Sequence, residues 1–232
     1  LLTAPFVLHR RLLRHVQQVA DAARQGLPAR IVAKFNALTD PALIRALLAA
    51  SQAGAQIDLI VRGACMLPPG VAGVSDNIRV RSVVGRYLEH SRVFYFRWGQ
   101  GEANEVLYLS SADWMSRKMF RRVEIAWPVR DARLRQRVID ECLVPYLHDG
   151  RDAWTLQADG QYLAADGRGP LVAHRVVRIA AEHERDHHER PPTAESAHAE
   201  ELAVVQRRER AHLRWHDGPV VGREARVVIA RD

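Results

Sequence analysis

The sequence predicts an α/β fold in which helices flank one mixed sheet. A strand–helix–strand pattern spans residues 29–61, and this spacing is typical of two parallel strands joined by a right-handed crossover. Further along, Ser91–Trp98 and Val106–Ser110 show period-2 alternation with many β-branched and aromatic residues, and a glycine-containing turn joins them as antiparallel strands. Strands of both orientations that are interleaved with helices indicate a layered α/β domain.

The first predicted element is an amphipathic helix. Apolar residues recur at helical spacing from Phe6 to Ala23, which gives this helix one face to pack on the sheet. Thr3 is expected to cap the helix, with Pro5 in its first turn, and Gly26 is expected to end it. We therefore expect the helix to begin within the first few residues.

Strands and helices then alternate along the chain. Pro41 is placed to begin the second helix and Gly54 to end it, and the continuous apolar run that follows is typical of a strand covered on both faces. A polar segment at 149–162 is expected to close the domain. The predicted bounds are Ala29–Phe35, Ile57–Val61, Ile78–Val84 and Val123–Val129 for these strands, and Pro41–Ala53 and about Asp131–Leu147 for the helices.

The chain is expected to hold one domain at residues 1–162 and an atypical charged extension at 163–232. Between Ile179 and Leu202 the extension is dense in His, Arg, Glu and Ala and nearly free of large apolar residues. Such a composition buries too little apolar surface to offset the entropy of ordering. We therefore predict a charged helix or a partly disordered tail there rather than core.

Charge and cysteine content narrow the functional class. The chain has a formal net charge of +7 and a pI near 10.1, and only two of its 34 basic residues are lysine. An arginine-rich surface favours anionic partners, although a codon bias toward arginine gives the same composition. Cys65 and Cys142 form neither a disulfide framework nor a metal-binding spacing, and they fit the reducing cytoplasm.

Membrane and secretory classes are not favoured by the sequence. No apolar run approaches the roughly 20 residues of a membrane span, and no signal peptide opens the chain. The chain begins without Met and inside an amphipathic pattern. We therefore expect part of a longer, cytoplasmic protein.

The sharpest candidate site lies where the strand at 91–98 begins. His90 and Arg92 are two residues apart, a spacing that points both side chains to one face of a strand. An imidazole can attack or protonate a substrate, and a guanidinium beside it binds phosphate. Ser111 and Asp113 supply a hydroxyl and a carboxylate at the end of the next strand. This combination indicates phosphoryl chemistry, with His90 as the candidate catalytic residue.

Three further candidates follow the ends of other strands. Arg62 ends an apolar strand, and ligands of open α/β sheets bind beyond the carboxyl ends of the strands. Lys34 and Asn36 stand two apart near the end of the first strand, where they either line the same cleft or lie at the edge of the sheet. Together these residues predict a cationic cleft.

Other charged residues have structural interpretations. Arg79, Arg81 and Arg86 form either a basic channel for a polyanion or a solvated face. Asp113 and Glu124 either orient cations or pair with arginines, and we expect structural salt bridges. The glycine-rich phosphate loops G-x-x-x-x-G-K-[ST] and G-x-G-x-x-G are absent, and the histidines of the extension lack the spacing of a ligand set. We predict no metal ligands in this chain. If the chain binds a nucleotide, arginines, a histidine and backbone groups must hold it.

Several motifs carry a family resemblance. The H-x-R pattern followed by S-S-A-D at 110–113 resembles one half of a phospholipase D-type site. Much more specifically, the chain resembles the C-terminal catalytic domain of bacterial polyphosphate kinase from residue 1 to about residue 162. Three segments carry this resemblance: I-D-L-I-V-R-G-A-C at 57–65, N-I-R-V-R-S-V-V-G-R-Y-L-E-H-S-R-V-F-Y-F at 77–96 and L-Y-L-S-S-A-D-W-M-S-R at 107–117. The resemblance implies a phospholipase D-like mixed sheet.

The resemblance also implies a reaction, namely reversible transfer of the terminal phosphate of ATP to polyphosphate, with ADP as product and Mg²⁺ as cofactor. It implies that Arg62 binds nucleotide phosphate and that His90 lies in the nucleotide and phosphate site. From their spacing we expect Arg92, Lys34 and Asn36 to contribute to the same binding site. The family's phosphorylated histidine lies in a preceding domain. We therefore expect this chain to supply half of the active site, to be inactive alone, and to belong to a homo-oligomer when complete.

Two other classes remain open at this stage. One is half of a phospholipase D-like phosphodiesterase or nuclease, which hydrolysis of a diester substrate would reveal. The other is a basic nucleic-acid-binding module, which the pI suggests. The sequence shows no aromatic stacking platform or recognition-helix pattern, so nucleic acid is not the expected partner.

Overall fold

Nine strands form one mixed sheet within residues 1–85 and 88–165, the part of the chain that the computed structural model describes. In chain order they are β1 (Leu2–Ala4), β2 (Ala29–Phe35), β3 (Gln56–Val61), β4 (Ile78–Val83), β5 (Arg92–Trp98), β6 (Glu105–Ser110), β7 (Glu124–Pro128), β8 (Ala153–Leu156) and β9 (Tyr162–Ala164). Across the sheet the order is β1-β7-β6-β5-β2-β3-β4-β8-β9. The strands β2, β3 and β4 are parallel, and the other neighbouring pairs are antiparallel.

Helices cover both faces of this sheet. They are α1 (Leu8–Arg24), α2 (Pro41–Gln52), α3 (Ser116–Phe120), α4 (Ala132–Val138) and α5 (Val144–His148), with a π-helical turn at Ile139–Leu143 and a 3₁₀ turn at Glu102–Asn104. Phe35 faces the core under α1 and α2, whereas Lys34, on the opposite face of β2, meets Tyr146 of α5. The predicted mixed sheet with flanking helices is therefore confirmed. In the described part of the chain, no helix combines the length and apolar character that a membrane span requires.

The larger core lies between α1, α2 and the sheet. Leu8, Leu12, Val16 and Val19 recur on one face of α1 and are fully buried, as their spacing predicted. Burying one such side chain contributes about 1.5–3 kcal/mol. This packing fixes β2 and β5 side by side, and those two strands carry most of the candidate site.

The start of the chain differs from the prediction. Residues 2–4 form the edge strand β1, in which Thr3 lies opposite Ile125 of β7, so Thr3 does not cap α1. The helix begins at Leu8, and Val7 precedes it without a capping side chain. The prediction was wrong because the partner strand lies more than a hundred residues away, where local spacing carries no signal.

The second half of the chain also holds unpredicted elements. The helix expected at 131–147 is interrupted by the π turn, since Pro145 has no N–H to continue the regular hydrogen-bond pattern. The polar segment at 149–162 contains β8 and the start of β9, and the loop after β6 contains α3. These elements are short and their pairing is not local, so neither periodicity nor turn residues revealed them.

The predicted bounds of the other strands agree with the structure to within one residue at each end, and β2 agrees at both ends. All described residues belong to the first of two compact units of the chain. Strand β9 extends two residues past the predicted domain boundary at 162. The predicted charged tail lies outside the described residues beyond 165.

Candidate phosphate-binding site

The candidate site forms at the carboxyl ends of the parallel strands in the middle of the sheet. The parallel strands β2 and β3 end there, and β5 begins there because it runs antiparallel to β2. This geometry brings together Asn36, Arg62 and His90, which follow or precede those strand ends. In α/β sheets such a carboxyl edge, next to a change of strand direction, is where ligands bind.

A shallow cleft opens at the ends of these strands. Its walls include Lys34, Asn36 and Arg62, three of the residues that the sequence predicted. His90 contacts the cleft wall through Asn36, and Arg92 lies behind His90. All five predicted residues are therefore neighbours, whereas their roles remain predictions.

His90 stands exposed at the rim of the cleft. Its Nε2 lies 3.0 Å from Nη2 of Arg92, and its Nδ1 lies 3.2 Å from Nδ2 of Asn36. The predicted contact with Arg92 is present, although β5 begins at Arg92 and His90 precedes the strand. Because a guanidinium only donates hydrogen bonds, this contact requires the lone pair on Nε2. Nε2 is therefore the acceptor in this contact.

Asp113 connects Arg92 and Asn36 through hydrogen bonds. Its buried carboxylate accepts hydrogen bonds from Nε and Nη2 of Arg92, at 2.9 and 3.0 Å, and from the backbone N–H of Asn36 at 2.8 Å. Burial alone would raise the pKa of Asp113, but the hydrogen bonds from Arg92 and Asn36 outweigh it and hold the pKa below its ordinary value. The expected structural salt bridge is confirmed, and it orients Arg92 toward His90.

Arg62 is the cation that the cleft leaves available. Its side chain is half-buried and has no ion pair or hydrogen bond within the described residues. The backbone beside it is tightly packed, because Gly63 donates to the carbonyl of Asn36 at 2.9 Å and a Cβ there would lie 3.0 Å from the same oxygen. Arg62 is therefore a guanidinium on a fixed backbone that faces an open cleft.

Lys34 is less available than the sequence suggested. Its ammonium is buried, 3.4 Å from Oε1 of Glu89 and 3.3 Å from the ring centroid of Tyr146. Burial lowers the pKa of Lys34 to about 8, and the nearby carboxylate of Glu89 limits the fall. Burial would raise the pKa of Glu89, but Lys34 and hydrogen bonds from Ser91 and Tyr146 lower it to about 2. Both charges thus persist at neutral pH.

Sequence reasoning missed Glu89 and Tyr146 as parts of this site. Glu89 precedes His90 in the motif Y-L-E-H-S-R, and this adjacency was the one local signal. Tyr146 is 57 residues from Glu89, so only the fold brings them together.

The other charged residues singled out in the sequence and described by the structure do not line the cleft. Arg79 pairs with Asp58 through two hydrogen bonds, and Arg81 donates to main-chain carbonyls at the end of α5, so these two arginines are not free to line a channel. Arg86 lies outside the described residues. Glu124 forms a structural salt bridge as expected, but its partner is Lys118, at 2.8 Å, and not an arginine.

The carboxyl ends of these strands thus bring together an arginine with no partner among the described residues, an imidazole in contact with Arg92 and further cations, a set of groups suited to binding an anion. The family model "Polyphosphate kinase C-terminal domain 2" matches residues 1–171. The chain belongs to this family.

Relatives agree with the family model. The polyphosphate kinase of Paraburkholderia phytofirmans is 55% identical and that of Burkholderia multivorans is 54% identical, each over 159 residues, or 68% of this chain and 23% of the relative. The crystal structure of polyphosphate kinase from Porphyromonas gingivalis superposes with a TM-score of 0.72 at 33% identity and covers 80% of this chain and 28% of that one. The chain thus spans about a quarter of the length of these relatives.

Proposed function

We propose that the complete protein is an ATP:polyphosphate phosphotransferase and that this chain supplies the nucleotide side of its active site. The observation that carries the proposal is Arg62, a cation in the cleft with no partner among the described residues, together with His90 at the rim, whose imidazole contacts Arg92. The phosphate oxygens of ATP match this set of donors. Family membership supports the choice of reaction.

Each predicted residue has a role in this proposal. Arg62 binds phosphate oxygens, and Asn36 and His90 hydrogen-bond to the nucleotide phosphates. Arg92 holds His90 and supplies positive charge behind it, and Lys34 adds positive charge to the floor of the cleft. His90 is a phosphate ligand or proton donor and does not carry the phosphoryl group. The contact of His90 with the cation Arg92 supports a role on the leaving-group side, because an in-line nucleophile must approach the phosphorus from the side opposite the leaving group.

The proposed step breaks the bond between the γ-phosphorus and the β,γ-bridging oxygen of ATP. A new bond forms between this phosphorus and a ring nitrogen of a histidine outside the described residues, and ADP leaves with the bridging oxygen. His90 donates a hydrogen bond or a proton to that oxygen, while Arg62 offsets its developing charge. Transfer from phosphohistidine to the end of a polyphosphate chain completes the cycle.

Magnesium, which the family implies, has no evident ligand set among the described residues. Among the described residues, no group of three or more His, Cys, Asp or Glu side chains could hold a metal ion. Both oxygens of Asp113 already accept hydrogen bonds from Arg92. No catalytic step is therefore assigned to a metal on this chain.

Replacement of His90 in the complete protein tests the proposal. His90→Ala should reduce turnover by roughly 10² to 10⁴, the range for a lost acid–base group, and mass mapping should still find phosphohistidine at another histidine. His9→Ala is the matched control, since His9 pairs with Asp40 under α3 and lies outside the cleft. A phosphoryl group mapped to His90 would show that His90 is the phosphate carrier and contradict its proposed role. Hydrolysis of a phosphodiester without polyphosphate synthesis would show that the protein is a phosphodiesterase instead.

A further inference from the structure

A buried polar cluster of Lys34, Glu89 and Tyr146 lies directly behind the candidate histidine. Glu89 accepts hydrogen bonds from the hydroxyl of Tyr146 at 2.8 Å and from the backbone N–H of Ser91 at 2.7 Å. Lys34 lies 3.4 Å from the same carboxylate and 3.4 Å from the carbonyl of Cys142. The cluster joins the central strand β2, helix α5 and the segment before β5.

The cluster determines the orientation of Glu89 and His90, here called the histidine segment. Glu89 and His90 are consecutive, yet the carboxylate of Glu89 points inward to Lys34 and Tyr146 while the imidazole of His90 points outward to Asn36 and Arg92. The carbonyl of His90 also accepts a hydrogen bond from Nη1 of Arg92 at 3.0 Å. The segment is thus held from behind by Glu89 and from the side by Arg92.

We propose that Lys34, Glu89 and Tyr146 are positioning residues that hold His90 at the cleft through the carboxylate of Glu89. The proposal rests on the function proposed above for His90 but adds three residues that do not need to touch the substrate. A reacting group displaced by about 1 Å can lose roughly 10²-fold in rate, so small movements of this segment matter.

The charge state of the cluster depends on Lys34. The groups that face its ammonium are Glu89 from the histidine segment, Tyr146 from α5 and Cys142 from the π turn, with Arg62 on the same cleft wall. Burial raises the pKa of both Tyr146 and Cys142, whereas the pKa of Glu89 is about 2. Lys34, with a pKa of about 8, is therefore the member of the cluster that titrates first as the pH rises from neutral.

Deprotonation of Lys34 should weaken the hold on His90 as the pH rises. Below pH about 8, charged Lys34 attracts charged Glu89 and the histidine segment is held. Above it, Lys34 is neutral, Glu89 loses its cation and the hold on His90 weakens. Glu89→Gln removes the carboxylate that raises the pKa of Lys34, so the variant lacks the ion pair at every pH.

The first test uses the complete protein and measures kcat and KM for ATP against pH. Glu89→Gln and Lys34→Met should lower kcat by 10-fold or more while KM changes less than about threefold, and the decline of kcat above pH about 8 should disappear in both. Tyr146→Phe keeps both charges and removes one hydrogen bond, so it should give a smaller loss. A change in KM alone would overturn the proposal and make Lys34 a direct phosphate ligand.

Asp58→Asn is the matched control. Asp58 is a buried carboxylate on β3 that pairs with Arg30 and Arg79, away from the cleft. Its replacement should lower the melting temperature without changing kcat or its pH profile. If Asp58→Asn shifted the profile as Glu89→Gln does, a general effect on the sheet would explain both.

A second measurement does not depend on catalysis. In the 232-residue chain, the NMR signals of the His90 imidazole, assigned by their loss in His90→Ala, should shift or broaden above pH about 8 in the unmodified chain. Glu89→Gln should show the shifted signals already at neutral pH. Unchanged signals would overturn the positioning role even if the complete protein makes polyphosphate, and changed signals without polyphosphate synthesis would overturn only the proposed function.

Discussion

At the scale of single residues, Arg62 shows how a side chain becomes available for a ligand. It follows β3, its backbone is fixed by the contact of Gly63 with Asn36, and its guanidinium lines the cleft without a partner among the described residues. Neighbouring arginines differ, because Arg79 and Arg92 are paired with Asp58 and Asp113. Availability for a ligand therefore depends on the environment of each arginine and not on residue type.

We predict that Arg62→Ala weakens nucleotide binding. A hydrogen bond to a charged group contributes about 1.5–3 kcal/mol, which corresponds to roughly 10- to 100-fold in Kd. Titration calorimetry of the complete protein with a non-hydrolysable ATP analogue measures the change. Arg133→Ala, at an exposed position on α4, is the control and should bind as the unmodified protein does. Equal affinities of both variants would exclude Arg62 from the site.

Asp113 gives a second prediction at this scale, which concerns stability. Asp113→Ala leaves the buried charge of Arg92 without its partner, and removing one partner of a buried pair costs about 3–5 kcal/mol. Chemical denaturation at neutral pH should show this loss, and Ser116→Ala, which removes a hydroxyl bonded to Asp40, should cost less.

The pH dependence of that loss has a defined sign. The pKa of Asp113 is lowered in the folded chain, so its contribution is complete above the unfolded pKa of about 3.9 and disappears as the pH falls through the lower folded value. The difference in unfolding free energy between the unmodified chain and Asp113→Ala should therefore shrink in acid. A constant difference across that range would show that the pair is not the cause.

At the scale of secondary structure, α2 shows a cap that also supports the site. Asp40 accepts hydrogen bonds from the N–H groups of Ala42 and Leu43 and from the hydroxyl of Ser116 in α3. The loop from Asn36 to Asp40 connects this cap to the cleft. The beginning of α2 thus fixes the loop that leaves β2.

We predict that Asp40→Ala destabilises the chain by at least the roughly 1 kcal/mol of a lost helix cap, since two further partners, His9 and Ser116, also lose their acceptor. Thermal unfolding followed by circular dichroism measures the loss. Asp131→Ala removes the cap of α4, which bonds Leu134 alone, and provides the comparison. A smaller loss for Asp40 than for Asp131 would contradict the linked role.

At the scale of the whole molecule, the chain is about a quarter of the length of its relatives. Within the described residues it offers one histidine–arginine pair at a cleft, whereas the proposed reaction needs a second histidine as phosphate carrier. We predict that the 232-residue chain does not extend a polyphosphate primer with ATP and Mg²⁺. Gel analysis of chain length measures this, with the complete protein as positive control. Robust synthesis by the chain alone would contradict the proposal that the site needs a second histidine from another part of the complete protein.

The sequence by itself determined the types of the longer elements and the neighbourhood of the site. Helical spacing predicted α1 and α2, alternation predicted β5 and β6, and the strand-end positions of Arg62 and His90 predicted a common edge. These features could be predicted because each depends on spacing within one element or on the rule that parallel strands end at the same edge.

The tertiary structure decided which charges remain free. Lys34 and Arg62 are both cations at strand ends in the sequence. In the structure Lys34 is paired with Glu89 and covered by Tyr146, whereas Arg62 faces the cleft. The edge strand β1 was likewise set by pairing with the distant β7. The physical reason is the same in each case: ion pairs and sheet ladders join residues far apart in the chain, and local periodicity does not record their partners.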